Sequence, residues 1–271
     1  MSVDTIIRFG PQEGLVGVLS GGPAARNAPT LILFNAGMIP RAGPFRLHAE
    51  LANHLAARGL RTFRFDLPGV GETSHQVKCD EHLAASLAMD YLAREHGCSQ
   101  FVVGGVCSAA DLGWRVALED ARVAGLIMLD GVSYTGPWFH FARIAGVLRR
   151  PPGQWPGVLA RLLGRLRQSG DAFVGSDYRQ WPERDAARRQ LAQLVARNTR
   201  MLCIYTGGMT SFLHPRQFAW SFGPAARDPR VAMHYWSDCD HTFYARVHRD
   251  RLLETVGHWL ESSFDSLGER S

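Results

Sequence analysis

Cys107 stands where an apolar run passes straight into a helical one, in QFVVGGVCSAADLGWRVAL, and a cysteine at such a join can serve as a nucleophile. In Gly105-Val106-Cys107-Ser108-Ala109 the residues two positions either side of the centre are small. A strand that turns into a helix this tightly leaves no room there for anything larger. Ser108 competes for the central place, but its flanks would be Val106 and Ala110, and a β-branched valine would clash. Cys107 therefore fits the spacing better. The start of a helix just after the sulfur would stabilise the thiolate, which is the reactive form. The bland alternative is an ordinary buried cysteine, since free cysteine is among the most buried residue types.

A thiol nucleophile calls for a base. Ser237-Asp238-Cys239-Asp240-His241-Thr242-Phe243 follows the last expected strand and precedes a closing amphipathic helix around Arg249–Leu260, which makes His241 the candidate base. The acid that would orient it is expected after the strand before, yet Thr206-Gly207-Gly208-Met209-Thr210-Ser211-Phe212 holds no carboxylate. Asp130, at the C-terminal end of the preceding strand, is the substitute. Asp238 and Asp240 lie nearer in sequence and could instead brace the loop. A thiol needs the acid less than a hydroxyl does, because it gives up its proton more readily. The candidate catalytic set is thus Cys107, His241 and Asp130.

An oxyanion needs backbone donors. The second strand ends in Asn35-Ala36-Gly37-Met38-Ile39-Pro40-Arg41-Ala42-Gly43-Pro44, so one N–H is expected from Gly37 or Met38 and another from Ser108. Arg41, Trp138 and Phe139 are candidates for substrate contact. In Arg64-Phe65-Asp66-Leu67-Pro68-Gly69-Val70-Gly71-Glu72-Thr73-Ser74, the residues Asp66, Gly69, Gly71 and Ser74 read as structural, tying a second loop beneath the site. The GxG there lacks the third glycine, helix start and ribose acid of a dinucleotide fingerprint.

The elements that must carry these residues are legible as short apolar runs between helical stretches. Leu15–Ser20, Thr30–Asn35, Arg61–Asp66, Gln100–Val106, Ala124–Asp130, Arg200–Thr206 and Val231–Trp236 read as strands. Leu47, Leu51 and Leu55, with Ala52 and Ala56 beside them, mark one buried helical face that stops at Gly59. The alternation predicts an α/β fold, a mostly parallel central sheet flanked by helices, in one domain over residues 1–271. Residues from Gly136 to about Arg184 break the rhythm and read as a lid insertion. In that stretch Val158, Leu159, Leu162, Leu163 and Leu166 form an apolar stripe opposite Arg161, Arg165 and Arg167, while Trp138, Phe139, Phe141, Trp155, Phe173 and Trp181 could line an acyl pocket or anchor the lid.

Composition narrows the classes further. The cysteines Cys79, Cys98, Cys107, Cys203 and Cys239 are odd in number and form no CxxC pair, so neither a disulfide framework nor a metal site is expected, and no cofactor is implied. Lys78 is the single lysine, which leaves little scope for Schiff-base chemistry. The net charge of +5 comes without a basic stripe interleaved with aromatics, so nucleic acid is not an expected partner. No apolar run reaches the roughly 20 residues of a membrane span, and Met1–Gly10 lacks the layout of a secretory signal, so a cytoplasmic location is expected. Oligomeric state is not legible.

NAG-x-x-x-R-x-GP, RFDLPGVGETS, GGVCSAAD and DHTF, in that order, resemble the bacterial α/β-hydrolases found beside exosortase and polysaccharide or secondary-metabolite gene sets, which often carry a GxCSG elbow. The resemblance spans most of the chain outside the lid. It implies the α/β-hydrolase fold, with Cys107 as nucleophile, His241 as base, and Gly37, Met38 and Ser108 around the oxyanion. Dienelactone hydrolases, polyhydroxyalkanoate synthases and the acyl-shuttling transferases of nonribosomal peptide pathways also carry a cysteine on this fold. Ala109 departs from the usual glycine, and the acid after the seventh strand is absent.

The expected activity is hydrolysis of a small-molecule ester, lactone or acyl thioester through an acyl-cysteine. An acyltransferase is the alternative, with the acyl group carried on coenzyme A or an acyl carrier protein whose anionic groups would suit the arginines of the lid. A catalytically silent binding module is the reading from another class, and the missing acid is its support.

Overall fold

The computed structural model describes residues 4–22, 28–149, 151, 179 and 181–264. Eight strands form one sheet: β1 (Thr5–Phe9), β2 (Leu15–Ser20), β3 (Thr30–Leu33), β4 (Thr62–Phe65), β5 (Phe101–Val106), β6 (Val123–Leu129), β7 (Arg200–Thr206) and β8 (Val231–Trp236). Their spatial order is β1-β2-β4-β3-β5-β6-β7-β8. β1 and β2 run antiparallel to their neighbours, and every other pairing is parallel.

All seven expected strands are present, within a residue or two at each end. β1 is an addition: of its five residues only Ile7 and Phe9 are buried, and so short an alternation marks a strand only once β2 pairs with it. The inner strands are apolar on both faces because helices cover both. β5 is buried at every position, as a strand between two helical layers must be.

One layer holds α1 (Leu47–Ala57) and the closing helix α7 (Arg246–Phe264), whose Leu47, Leu51, Leu55, Leu252, Val256 and Trp259 meet over the sheet. The other holds α2 (Glu81–His96), α3 (Ser108–Glu119) and α5 (Arg184–Ala196), packed through Ala84, Ala88, Leu92, Leu112, Trp114, Leu191 and Leu194. Each buried leucine of these faces contributes about 1.5–3 kcal/mol by leaving water. α2 shows how locally its ends are written: the Asp80 carboxylate accepts from Leu83 N at 2.7 Å, and Gly97 closes the helix with φ 64°.

α4 (Pro137–Leu148) and α6 (Arg216–Phe222) lie beyond the C-terminal ends of β6 and β7 in sequence. α4 opens the stretch read as a lid, and no residue of α4 is buried. Val158–Gln168, with Arg161, Arg165 and Arg167, and also Trp155 and Phe173, lie outside the described residues.

Strand order matters for function. The chain proceeds from β3 outward to β4 and then returns to place β5 on the other side of β3. At such a reversal the loops after β3 and β5 diverge and open a crevice at the C-terminal ends of the strands, where open α/β sheets bind ligands. Cys107 follows β5 and Gly37 follows β3.

Candidate active site

The elbow is built from glycine and strain. Cys107 has φ 59° and ψ −119°, a left-handed conformation that costs a residue with a side chain about 1–3 kcal/mol. Gly104 and Gly105 allow it. A Cβ on Gly104 would lie 1.9 Å from the Ile127 carbonyl oxygen, and one on Gly105 would lie 2.8 Å from Ala109 Cβ. The sulfur is carried out at the end of β5, just ahead of the first turn of α3, and is half-buried.

His241 comes from the loop between β8 and α7. Its Nδ1 lies 2.7 Å from Asp130 Oδ2, which leaves the other ring nitrogen free to serve the Cys107 thiol, and both residues line the same cavity. Asp130 is fully buried at the end of β6, with φ 51°. Its carboxylate also accepts from Thr206 N and Thr206 Oγ1, both at 2.6 Å. The structure thus brings the three candidate residues together, Asp130 hydrogen-bonded to His241 and His241 beside Cys107 on the wall of one cavity.

The absence of a carboxylate after β7 has a steric reason. A Cβ on Gly207 would lie 2.1 Å from Ser237 O, and one on Gly208 would lie 2.3 Å from His241 N. The β7 loop packs directly on the histidine loop, so no side chain fits there, and the acid arrives from the neighbouring strand end. Asp238 and Asp240 face elsewhere. The Asp240 carboxylate accepts from Thr242 N and Oγ1 and from Tyr244 N, which shapes the loop. Asp238 is exposed and pairs with His248 and Arg251 on α7.

Electrostatics favour a thiolate. Burial pushes the Cys107 thiol up, but the hydrogen bond from His241, the charges of Arg179 and His241, and the Ser108 N–H outweigh it and hold the thiol below its ordinary value. The hydrogen bonds to Asp130 and then to Cys107 push the His241 imidazole up to about 10. The two shifts, the thiol downward and the imidazole upward, both move the pair in the direction of thiolate and imidazolium. Cys203 is the contrast: full burial with no such partner pushes its thiol well up.

Around the oxyanion position, Gly37 N donates to Ser108 Oγ at 2.9 Å, and Gly37 has φ 58°. Met38 beside it is 77% exposed. The loop is held from behind by buried Asp66, which accepts from Arg41 N at 2.6 Å and Glu72 N at 3.0 Å, while Asn35 Oδ1 accepts from Leu67 N at 2.6 Å. Gly71 passes so close that a Cβ would lie 2.3 Å from Asp66 Oδ2.

Arg41, Trp138 and Phe139, the candidates for substrate contact, have other neighbours in the structure. The Arg41 guanidinium forms ion pairs with Asp66 and Glu72, so it braces the loop. Trp138 stacks on His214 at 5.0 Å and lines a separate hollow with Trp220 and Arg216, and Phe139 packs against His140 and Arg143. Neither is among the described residues that line the cavity over Cys107. That cavity, of about 610 Å³, is lined among the described residues by Cys107, His241, Tyr134, Arg179, Trp181 and the 208–211 loop, with Ser133 and Thr135 at its side.

Arg179 and Asp111 were not legible as site residues. Arg179 Nε lies 2.5 Å from Asp111 Oδ2 and Nη2 lies 2.7 Å from Oδ1, and Trp181 Nε1 donates to the same carboxylate at 3.1 Å. Asp111, one helical turn after the nucleophile, was the available signal: a carboxylate in the first turn of a helix on a nearly buried face needs a partner.

A family described as the alpha/beta hydrolase fold matches residues 31–167, about half of the chain. No curated protein matches the chain in sequence. Among solved structures, an esterase from Pyrococcus furiosus is 13% identical, with 97% of this chain and 91% of that one covered at a TM-score of 0.60. An alpha-beta serine hydrolase homologue from Coxiella burnetii is 16% identical, with 94% and 96% covered at a TM-score of 0.55. At these identities the likeness is one of fold.

Proposed function

Because the chain belongs to the α/β-hydrolase family, we propose that it hydrolyses a small-molecule ester, lactone or acyl thioester through an acyl group held on Cys107. The observation that carries this reading is the convergence of Cys107 and His241 on one cavity, with His241 hydrogen-bonded to buried Asp130.

In the acylation half, the Cys107 thiolate attacks the carbonyl carbon and the carbonyl oxygen becomes an oxyanion. The N–H of Ser108, at the positive end of α3, and the N–H of Gly37, once the Ser108 hydroxyl releases it, would be the donors to that charge. Collapse of the intermediate expels the alcohol or thiol, to which the His241 imidazolium gives its proton. In the second half His241, now neutral, takes a proton from water as the hydroxyl adds to the acyl carbon. The acid departs and the sulfur returns as thiolate beside imidazolium. Asp130 keeps one ring nitrogen engaged throughout and stabilises the imidazolium. A thiolate exchanges with thioesters at little thermodynamic cost, which favours an activated acyl group over a peptide bond.

The hydrogen bond that the Asp130 carboxylate accepts from His241 speaks against a silent binding module, whose support was a missing acid. Incubation with an aryl ester or acyl thioester should give an adduct on Cys107 by intact mass, lost in a Cys107→Ala variant. An adduct that persists in the variant would remove the assignment. Rapid loss of the adduct to water marks a hydrolase. Persistence until a thiol, hydroxyl or amine acceptor is added marks the acyltransferase.

A further inference from the structure

Two residues of the site hold strained main chain, Cys107 at φ 59° and Asp130 at φ 51°, and neither is glycine. Such conformations persist only where the surroundings over-determine them. The amides are fixed by the sheet, Cys107 N to Leu129 O at 2.8 Å and Asp130 N to Ile204 O at 2.9 Å. The Cys107 carbonyl accepts from Ala110 N at 3.0 Å as α3 begins, and one guanidinium reaches both it and the Asp130 carbonyl. Arg179 forks onto Asp111 through Nε and one N–H of Nη2, and the other Nη2 N–H is shared between Cys107 O and Asp130 O, each at 3.3 Å. Asp111 belongs to the first turn of α3, so one side chain joins the elbow, the helix behind it and the strand end that presents Asp130.

The fork is nearly dry, with the Arg179 side chain 12% exposed and that of Asp111 11% exposed. Net stability is a poor explanation for it, because desolvation of two charges offsets much of their attraction. What a buried fork supplies is a charge held in one place. Trp181 closes the arrangement from above, its ring 4.7 Å from the guanidinium carbon and its N–H on Asp111. Arg179 reaches the elbow from the chain between β6 and α5, separate from both loops that carry Cys107 and His241.

We propose that Arg179 is a positioning residue for Cys107 and Asp130, holding their carbonyls through one nitrogen and supplying a fixed positive charge beside the thiolate. This deepens the reading of Cys107 as the nucleophile and rests on it. The direction in which Arg179 moves the Cys107 thiol, downward, agrees with that placement.

The test reads the sulfur without any acyl substrate. Iodoacetamide alkylates the thiolate with release of iodide, and the extent at Cys107 is measured by peptide mass spectrometry across pH. Arg179→Gln should move the midpoint up by about one unit, roughly tenfold slower alkylation at neutral pH. Arg179→Lys restores a charge but cannot span Asp111 and two carbonyls. Its midpoint should return toward the parent value while kcat for an aryl ester stays about tenfold low and KM barely moves. A folded Arg179→Gln protein with the parent's midpoint overturns the proposal. If that variant does not fold, Arg179→Lys decides: reduced kcat with a near-parent midpoint supports it, and unchanged kcat overturns it. A shifted midpoint in a protein that takes up no acyl group leaves Arg179 in this role and removes the acyl-transfer function. An acyl adduct with an unshifted midpoint does the reverse.

Discussion

The N–H of Gly37 donates to the hydroxyl of Ser108 at 2.9 Å, across 71 positions of chain. The bond ties the loop after β3 to the first turn of α3, and it engages the donor that a substrate oxyanion would need. In the free protein the hydroxyl therefore competes with substrate for that N–H. The loop has independent support in Asp66 and Asn35, so losing the bond should leave it in place.

Ser108→Ala should accordingly tighten inhibition by an acyl aldehyde, which gives a tetrahedral adduct on Cys107, by about 2–10-fold, the worth of one net hydrogen bond. The inhibition constant and Tm are the measurements. Weaker inhibition with unchanged Tm would show that the hydroxyl itself donates to the oxyanion.

Asp130 and Asp240 separate cleanly by mutation. Asp130→Asn removes the negative charge beside the imidazolium and should lower kcat by roughly 10–100-fold, less than in a serine triad because a thiol needs less help. Asp240→Asn keeps an oxygen for Thr242 and Tyr244 and should change kcat by less than about threefold. Steady-state kinetics on an aryl ester decide, and the opposite order would reassign the acid.

pH dependence follows from the pair. Activity should rise as pH passes the lowered value of the Cys107 thiol and fall as it passes about 10, where His241 loses the proton the leaving group needs. Stability has its own sign. The folded His241 value lies above the ordinary 6.5, so its stabilisation is complete below 6.5 and is lost as pH rises through about 10. The Tm advantage of the parent over a His241→Gln variant should therefore shrink between pH 7 and pH 10; an advantage that holds constant would show the imidazole is not so perturbed.

Arg41→Ala should act on stability and leave substrate affinity alone. Asp66 is fully buried and would lose its charged partner, at a cost of about 3 kcal/mol. Chemical denaturation should show the loss, while KM for an aryl ester should change by less than about twofold. A large rise in KM in a stable protein would return Arg41 to the substrate.

The sequence by itself determined what depends on neighbours along the chain. Leu47, Leu51 and Leu55 could only bury one helical face, and the apolar runs of β5 to β7 could only be strands covered on both sides. Gly105 and Ala109, two positions either side of Cys107, marked a turn too tight for larger residues. The histidine loop was readable because it follows the last strand. What tertiary structure decided are the relations that no spacing encodes. Asp130 meets His241 across 111 positions because Gly207 and Gly208 let the β7 and β8 loops touch. Arg41 turns inward to Asp66, Trp138 turns aside to His214, and Arg179 reaches Asp111 across 68 positions. Each is a charge or ring choosing among partners that only the folded chain brings within reach, and the strength of that choice falls with distance in space, to which distance in sequence is a poor guide.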